Sequence, residues 1–141
     1  MASVIYNSFK RDIANGSIDL DTDTIKVMLV SSSYTPNIDT HTKRSDITGE
    51  ISGTGYTAGG QALTGATVTV DTTNDRAVFD ANDVTWASST ITARGAVLYK
   101  SRGGAATADE LICYIDFGAD KSSSGGPFTI QWDAVGILTL S

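Results

Sequence analysis

Short runs of alternating apolar and polar residues recur through most of this chain, and they constrain the fold more than any other feature of the sequence. Glycine, serine and aspartate cluster between the runs, and 14 glycines stand against only 2 prolines. Turn signals at intervals of about 8–12 residues are typical of a β-sandwich or β-barrel and predict about eight strands. The alternating runs that predict strands are 64–81 (as a hairpin), 87–101, 110–118, 128–132 and 135–141, and the nearly continuous apolar run 24–30 predicts a buried strand.

The alternation also predicts which side chains share one face of a strand, because successive residues point to opposite faces. In 110–118 this face carries Leu111, Cys113, Ile115 and Phe117. Cys113 is the only cysteine, so it cannot form an internal disulfide, and its apolar neighbours predict a buried thiol. In 87–101 one face is predicted to carry Ile91, Ala93, Gly95, Val97 and Tyr99.

The N-terminal segment has a different period. Residues 3–15 carry a loose apolar stripe that predicts a short helix, with Ser3 as its N-cap and Gly16 ending it in the left-handed conformation. The polar segment 31–48 shows no strand pattern and predicts a long loop or arm, a feature that is usually functional in a compact domain. No linker or repeat divides the chain. The sequence therefore predicts one domain, 1–141, with the helix in 1–16 and the sandwich in 17–141.

The charge of the chain bears on its partners. The net charge is −6 and the pI is about 4.5. Domains that bind nucleic acid need a basic face, so the acidity argues against direct contact with nucleic acid, and it also argues against an anionic membrane surface. No stretch approaches the ~20 apolar residues that span a bilayer. The N-terminus lacks the pattern of a secretory signal, and we therefore expect synthesis in a cytoplasm.

One acidic pattern invites a metal hypothesis. Asp19, Asp21 and Asp23 alternate as the ligands that open an EF-hand calcium loop do. Such a loop also needs a glycine and a final glutamate, whose positions are held here by Thr24 and Val30. The sequence therefore predicts a polar turn that leads into a strand, with no metal and no other cofactor.

Catalytic hypotheses find little support in the sequence. His41, the only histidine, lies in a polar loop and is predicted to be exposed, with no nucleophile motif beside it. Asp80 with Asp83, or Asp116 with Asp120, could form the acid pair of a glycosidase. Each pair sits where a strand enters a turn, a place where aspartate is common anyway. We predict no catalytic residue and no enzymatic activity.

Six aromatic side chains leave two interpretations open. They could line a sugar or peptide site, or they could fill the core, as large aromatic side chains mostly do. We expect the tryptophans to be core or sheet-edge residues. The six are Trp86, Trp132, Tyr34, Tyr56, Tyr99 and Tyr114.

Several segments occur in an order that resembles small virion proteins of tailed bacteriophages. They are YNSFKRDIANG, DTIKVMLVSSSYTPN, GTGYTAGGQALTG, ITARGAVLYK, ELICYIDFG and FTIQWDAVGILTL. More specifically, the chain resembles the capsid cement, or decoration, proteins of podophages over nearly its whole length. The resemblance implies a jelly-roll-like β-sandwich that binds the outside of an icosahedral head, commonly as a dimer or trimer near symmetry axes.

We therefore expect a non-enzymatic virion protein, made in the host bacterial cytoplasm, that cements neighbouring subunits of the major capsid protein. A homodimer is expected rather than a trimer. The alternative is a tail, collar or fibre component that binds host glycan or protein. The helix and the 31–48 segment are expected to supply assembly contacts. The residues expected to contact partners are Tyr6, Phe9, Lys10, Arg11, Tyr34 and Tyr56.

Overall fold

The computed structural model describes all residues of the chain, Met1–Ser141, as ten strands in three antiparallel sheets with one α-helix. The helix, α1, spans Asn7–Ala14. The strands are β1 (Val4–Ile5), β2 (Ile25–Val30), β3 (Gln61–Ala62), β4 (Thr67–Asp71), β5 (Arg76–Asp80), β6 (Val84–Ser89), β7 (Thr92–Lys100), β8 (Leu111–Ser122), β9 (Gly126–Ile130) and β10 (Leu138–Leu140). The all-β, sandwich-like class predicted from the sequence is confirmed.

The central sheet has the strand order β1-β8-β7-β2-β3 and is buried on both faces. Strand β2 shows this directly, because Val27 and Leu29 belong to one apolar cluster while Met28 and Val30 belong to another. Burial on both sides explains why the run 24–30 is apolar almost throughout instead of alternating.

The main core lies between the central sheet and two smaller sheets. These have the orders β10-β5-β4 and β6-β9. The smaller sheets contribute one large apolar side chain from each of four strands: Phe79 of β5, Trp86 of β6, Phe128 of β9 and Leu138 of β10. Helix α1 packs beside β8 and contributes Phe9 to the same core. Helix α1 is thus part of the core packing. A helix of eight residues is not stable in isolation, so it depends on this packing.

A second apolar cluster lies on the other face of the central sheet. The 31–48 segment covers it with Tyr34 and Ile47, over Val97, Tyr99 and neighbouring side chains. The segment is a loop, as predicted, with a short 3-10 turn at Arg44–Asp46. It is not a free arm, because it serves as the cover of a buried sheet face.

A bulge in β8 places Leu111 and Cys113 on opposite faces, although the sequence predicted that they share one face. Leu98 pairs with Cys113, yet the next residue of β7, Tyr99, pairs with Leu111, so Ile112 is an extra residue in the ladder. Leu111 consequently faces the second cluster, while Cys113 faces the main core. The burial of Cys113 is confirmed, and burial raises the pKa of its thiol to about 12.

A second irregularity corrects the predicted face of β7. Ala93 pairs with Lys121, whereas Gly95 pairs with Asp116, so β8 has additional residues between these two points. Ala93 belongs to the main core and Val97 to the second cluster. The predicted common face is wrong because strict alternation cannot anticipate a register shift imposed by the partner strand.

The N-terminal helix is shorter than predicted. Val4–Ile5 pairs with β8 as β1, so the helix begins only at Asn7. The Ser3 hydroxyl does not cap the helix but accepts the N–H of Asp116 at 2.9 Å. Gly16 has φ of +79°, which confirms the predicted left-handed end of the helix.

Candidate interaction surfaces

Three of the six predicted contact residues have buried side chains. Tyr6 and Phe9 are 0% exposed and Tyr34 is 4% exposed. Phe9 packs in the main core, and the two tyrosines pack in the second cluster. The prediction that these three side chains contact a partner is therefore wrong in this fold. The apolar stripe that predicted the helix includes Phe9 and Ile13, and both of these residues pack against the main core.

The buried tyrosines form a hydrogen-bonded chain with the single histidine. The hydroxyls of Tyr6 and Tyr34 lie 2.7 Å apart, and the Tyr34 hydroxyl lies 2.9 Å from Nδ1 of His41. The N–H of Asn37 donates to the same nitrogen at 3.2 Å, and the His41 ring stacks on Tyr34. Burial raises the pKa of Tyr34 to about 12 and also raises that of Tyr6. His41 was predicted to be exposed, but it is half-buried, and its hydrogen bonds to Tyr34 and Asn37 hold the 31–48 segment together.

Tyr56 is half-buried and anchors the glycine-rich segment that precedes β3. Its hydroxyl donates to Oε2 of Glu50 at 2.6 Å and accepts the N–H of Leu29 at 3.0 Å. The N–H of Gly59 donates to the same Glu50 oxygen at 2.7 Å. Tyr56 therefore fixes the segment to the edge of β2, and this structural role was not predicted for it.

Lys10 and Arg11 are the predicted contact residues that do lie on the surface. Lys10 Nζ donates to the side chain of Asn7 at 3.3 Å, and Arg11 Nε donates to Asp12 at 2.9 Å. The side chain of Asn7 in turn donates to Asp39 at 2.6 Å. The exposed side of α1 and part of the 31–48 segment thus form one continuous polar surface, and its role in partner contact stays a prediction.

An ion-pair cluster fixes the second half of the 31–48 segment to the start of β8. Asp109 and Glu110 are both buried. Arg44 donates to Asp109 at 2.8 Å, while Arg102 makes two hydrogen bonds to Glu110 at 2.7 and 2.6 Å. Arg102 and the nearby Lys43 hold the pKa of Glu110 below its ordinary value. The sequence carried no signal for the pairing of Arg44 with Asp109, because 65 positions separate these two residues in the chain.

Three of the acids considered for catalysis or calcium binding have structural partners. Asp116 pairs with Arg94 at 2.8 Å, and Asp83 accepts the backbone N–H of Trp132 at 3.0 Å. Asp23 pairs with Lys100 at 2.9 Å, in the turn that was predicted to lead into β2. The chain has no group of three or more histidine, cysteine, aspartate or glutamate side chains placed to hold a metal ion.

The aromatic side chains that could have formed a sugar-binding platform are mostly buried. Trp86 and Trp132 belong to the main core, which confirms the prediction for the tryptophans. Tyr99 and Tyr114 are buried in the second cluster. Tyr56 is the most accessible of the six, but its ring packs 5.9 Å from that of Trp86.

Open grooves on the surface provide further candidates. One of about 450 Å³ lies beside β8 and β9, with Phe117 and Phe128 in its wall and Lys121 at its edge. Another of about 400 Å³ lies between the end of α1 and β4, and its apolar wall includes Ile18 and Val68. Asp19 and Asp21 line the same groove as Ile18 and Val68.

Strand β4 is the most exposed regular element of the fold. It forms the edge of its sheet and pairs with β5 alone. Val68 is 42% exposed and Val70 is 79% exposed, and Thr67 and Thr69 on the opposite face are exposed too. An apolar edge strand of this kind is a template for pairing with another chain. The sequence alternation predicted the hairpin but not the exposure of its valines: Val68 lies opposite the buried Phe79 and so shares its face of the sheet, yet it is left uncovered at the sheet edge.

Comparison with models of protein families, with curated proteins and with solved structures gives no match for this chain. Its single α-helix falls short of the length and apolar character that crossing a membrane requires.

Proposed function

We propose that this chain is a non-enzymatic structural protein of a tailed-phage virion, which binds the outer surface of the head and cements neighbouring subunits of the major capsid protein. The observation that carries the proposal is the apolar edge strand β4, with Val68 and Val70 open to solvent. Proteins that work alone usually cover or blunt such an edge. The edge therefore supports a function in contact with other protein chains, and the sequence resemblance supplies the phage head as its setting.

The packing of the fold agrees with a role under mechanical tension. Both faces of the central sheet are covered, and the 31–48 cover is fixed by the ion pair of Arg44 with buried Asp109. A cement protein must hold subunits that internal pressure pulls apart, and many modest contacts repeated by symmetry can do so. The net charge of −6 favours a position outside the shell, away from packaged DNA.

The central test is the stability of heads that lack this protein. Particles prepared without it are expected to release their DNA at a lower temperature, or after milder osmotic shock, than complete particles do. Addition of the purified protein should restore the resistance. Heads that hold their DNA equally well with and without the protein would contradict the cement function.

A narrower test concerns the exposed basic side chains of α1. Lys10→Glu reverses one charge on the polar surface formed by α1 and the 31–48 segment, and we expect weaker binding to stripped heads. Lys121→Glu is the matched control, because Lys121 is also exposed but lies by the groove beside β8 and β9. Equal loss of binding in both variants would indicate a general charge effect instead of a contact through α1.

The tail, collar or fibre alternative makes a different prediction for the same particles. Loss of adsorption to host cells with unchanged DNA retention would replace the cement function with the tail function. A copy number far below that of the capsid protein would point the same way. The structure gives no support to glycan binding through the tryptophans, because Trp86 and Trp132 are buried and do not offer an exposed stacking surface.

A further inference from the structure

The free edge of β4 presents a defined set of backbone groups. The N–H of Ile137 donates to the carbonyl of Phe79, so the backbone of Phe79 points toward β10. Backbone groups alternate in direction along a strand. The N–H and C=O groups of Val78 therefore point toward β4, where they form hydrogen bonds with the backbone of its partner Thr69. The N–H and C=O groups of Val68 and Val70 consequently point away from β5, to the open side of the sheet.

We propose that this edge binds a second copy of the chain, with two β4 strands paired antiparallel across a two-fold axis at Thr69. The segment Thr67–Asp71 reads TVTVD and is nearly the same in both directions about Thr69. In this register Val68 of one copy lies opposite Val70 of the other, and these are the residues whose backbone groups are free. The pairing joins two three-stranded sheets into one of six strands, as an isologous contact.

The side chains fit this register. Opposite residues of an antiparallel pair lie on the same face, so four valines of the two copies form one apolar patch. The patch continues the groove lined by Ile18 and Leu20. Other registers that use the same backbone groups place one of the valines opposite alanine or threonine, and they bury less apolar surface. The inference goes beyond the capsid function and does not depend on it.

The charges at the seam also permit self-pairing. Asp71 is the only charged residue of β4, and Arg76 of the same chain pairs with it at 2.9 Å. In the proposed register Asp71 lies opposite Thr67 of the second copy, whose hydroxyl can donate to the carboxylate. A strand seam this short buries less than the roughly 1,200–2,000 Å² of stable interfaces, so the dimer is expected to be weak and dependent on concentration.

Cross-linking tests the two-fold axis directly. At a non-hydrogen-bonded pair the two Cα atoms stand about 4.5 Å apart, which permits a disulfide, and Thr69 opposite its own copy forms such a pair. The variant Thr69→Cys should therefore form a disulfide dimer under mild oxidation at least about tenfold faster than Thr73→Cys, because pairing raises the effective concentration of the thiol. Thr73 is exposed in the hairpin turn, away from the axis, and buried Cys113 is common to both variants.

A charge substitution provides the second measurement. Val70→Lys should abolish the rise in sedimentation coefficient with concentration, whereas Val135→Lys, which also replaces an exposed valine, should leave it unchanged. Matching melting temperatures of the two variants would show that both are folded. Self-pairing is overturned if Thr69→Cys cross-links no faster than Thr73→Cys, or if Val70→Lys and Val135→Lys sediment alike. It is also overturned if the free protein stays monomeric while Val70→Lys loses binding to heads, since the edge then takes a strand of the capsid protein.

Discussion

The hydroxyl oxygens of Tyr6 and Tyr34 lie 2.7 Å apart in the interior, although 28 positions separate the two residues in the sequence. This hydrogen bond joins the segment before α1 to the segment that covers the second face of the central sheet. Neither tyrosine is available to a partner, and each contributes instead to holding the cover in place. The surface that α1 and the 31–48 segment present therefore depends on a contact beneath it.

Removal of the Tyr34 hydroxyl should destabilise the protein. Tyr34→Phe leaves the buried Tyr6 hydroxyl without its partner, and an unsatisfied buried group costs about 1–3 kcal/mol. Urea unfolding should show this loss, together with faster amide hydrogen exchange in 31–48. Tyr114→Phe is the control, because Tyr114 is also buried in the second cluster but its hydroxyl makes no hydrogen bond within the chain. An equal loss in both variants would contradict a specific role for the Tyr6–Tyr34 bond.

Phe9 should contribute to stability far more than its exposed neighbour on α1. Phe9→Ala empties part of the main core, and we expect a loss of about 3–5 kcal/mol in the free energy of unfolding. Lys10→Ala changes an exposed position and should fall within about 0.5 kcal/mol of the parent protein. Chemical denaturation of both variants measures the difference. A small effect of Phe9→Ala would contradict the contribution of Phe9 to the core and restore the prediction that its side chain contacts a partner.

Gly60 should tolerate no side chain. It has φ of +77°, and a Cβ atom there would overlap the carbonyl of Val27. The left-handed conformation costs about 1–2 kcal/mol for a residue with Cβ, and the overlap adds about 1–3 kcal/mol, so Gly60→Ala should lower the melting temperature strongly. Gly16→Ala separates the two causes, because Gly16 has φ of +79° but open space around it. Similar losses in the two variants would show that conformation alone matters.

Glu110 should make the stability of the protein sensitive to acid. Its pKa is lowered from 4.5, first by the hydrogen bonds from Arg102, so folding favours the ionised form. This contribution is present above pH 4.5 and is lost as the pH falls through the lower pKa of the folded state. Glu110→Gln should cost about 1–3 kcal/mol at pH 7 and less at a pH well below 4.5. Denaturation at both pH values tests this, and a cost that does not depend on pH would contradict it.

The class of the fold and the positions of most strands could be predicted from the amino-acid sequence alone. Apolar patterning is a local property. A nearly continuous apolar run indicated β2, and alternation indicated the hairpin of β4 and β5 and the buried strand around Cys113. Gly16 ended α1 as predicted, because the left-handed conformation is a property of single residues. These features depend on residues that are close together in the sequence, so they can be predicted from local patterns.

Which apolar side chains are buried could not be predicted from the sequence and depends on the tertiary contacts. Phe9 and Val70 both belong to short amphipathic elements, yet Phe9 is buried and Val70 is the more exposed by far. The difference comes from what each element packs against: α1 lies beside β8, whereas β4 is the last strand of its sheet. The bulge at Ile112 likewise arises from the pairing with β7. Burial and register depend on contacts between distant parts of the chain, and periodicity within a single segment carries no record of them.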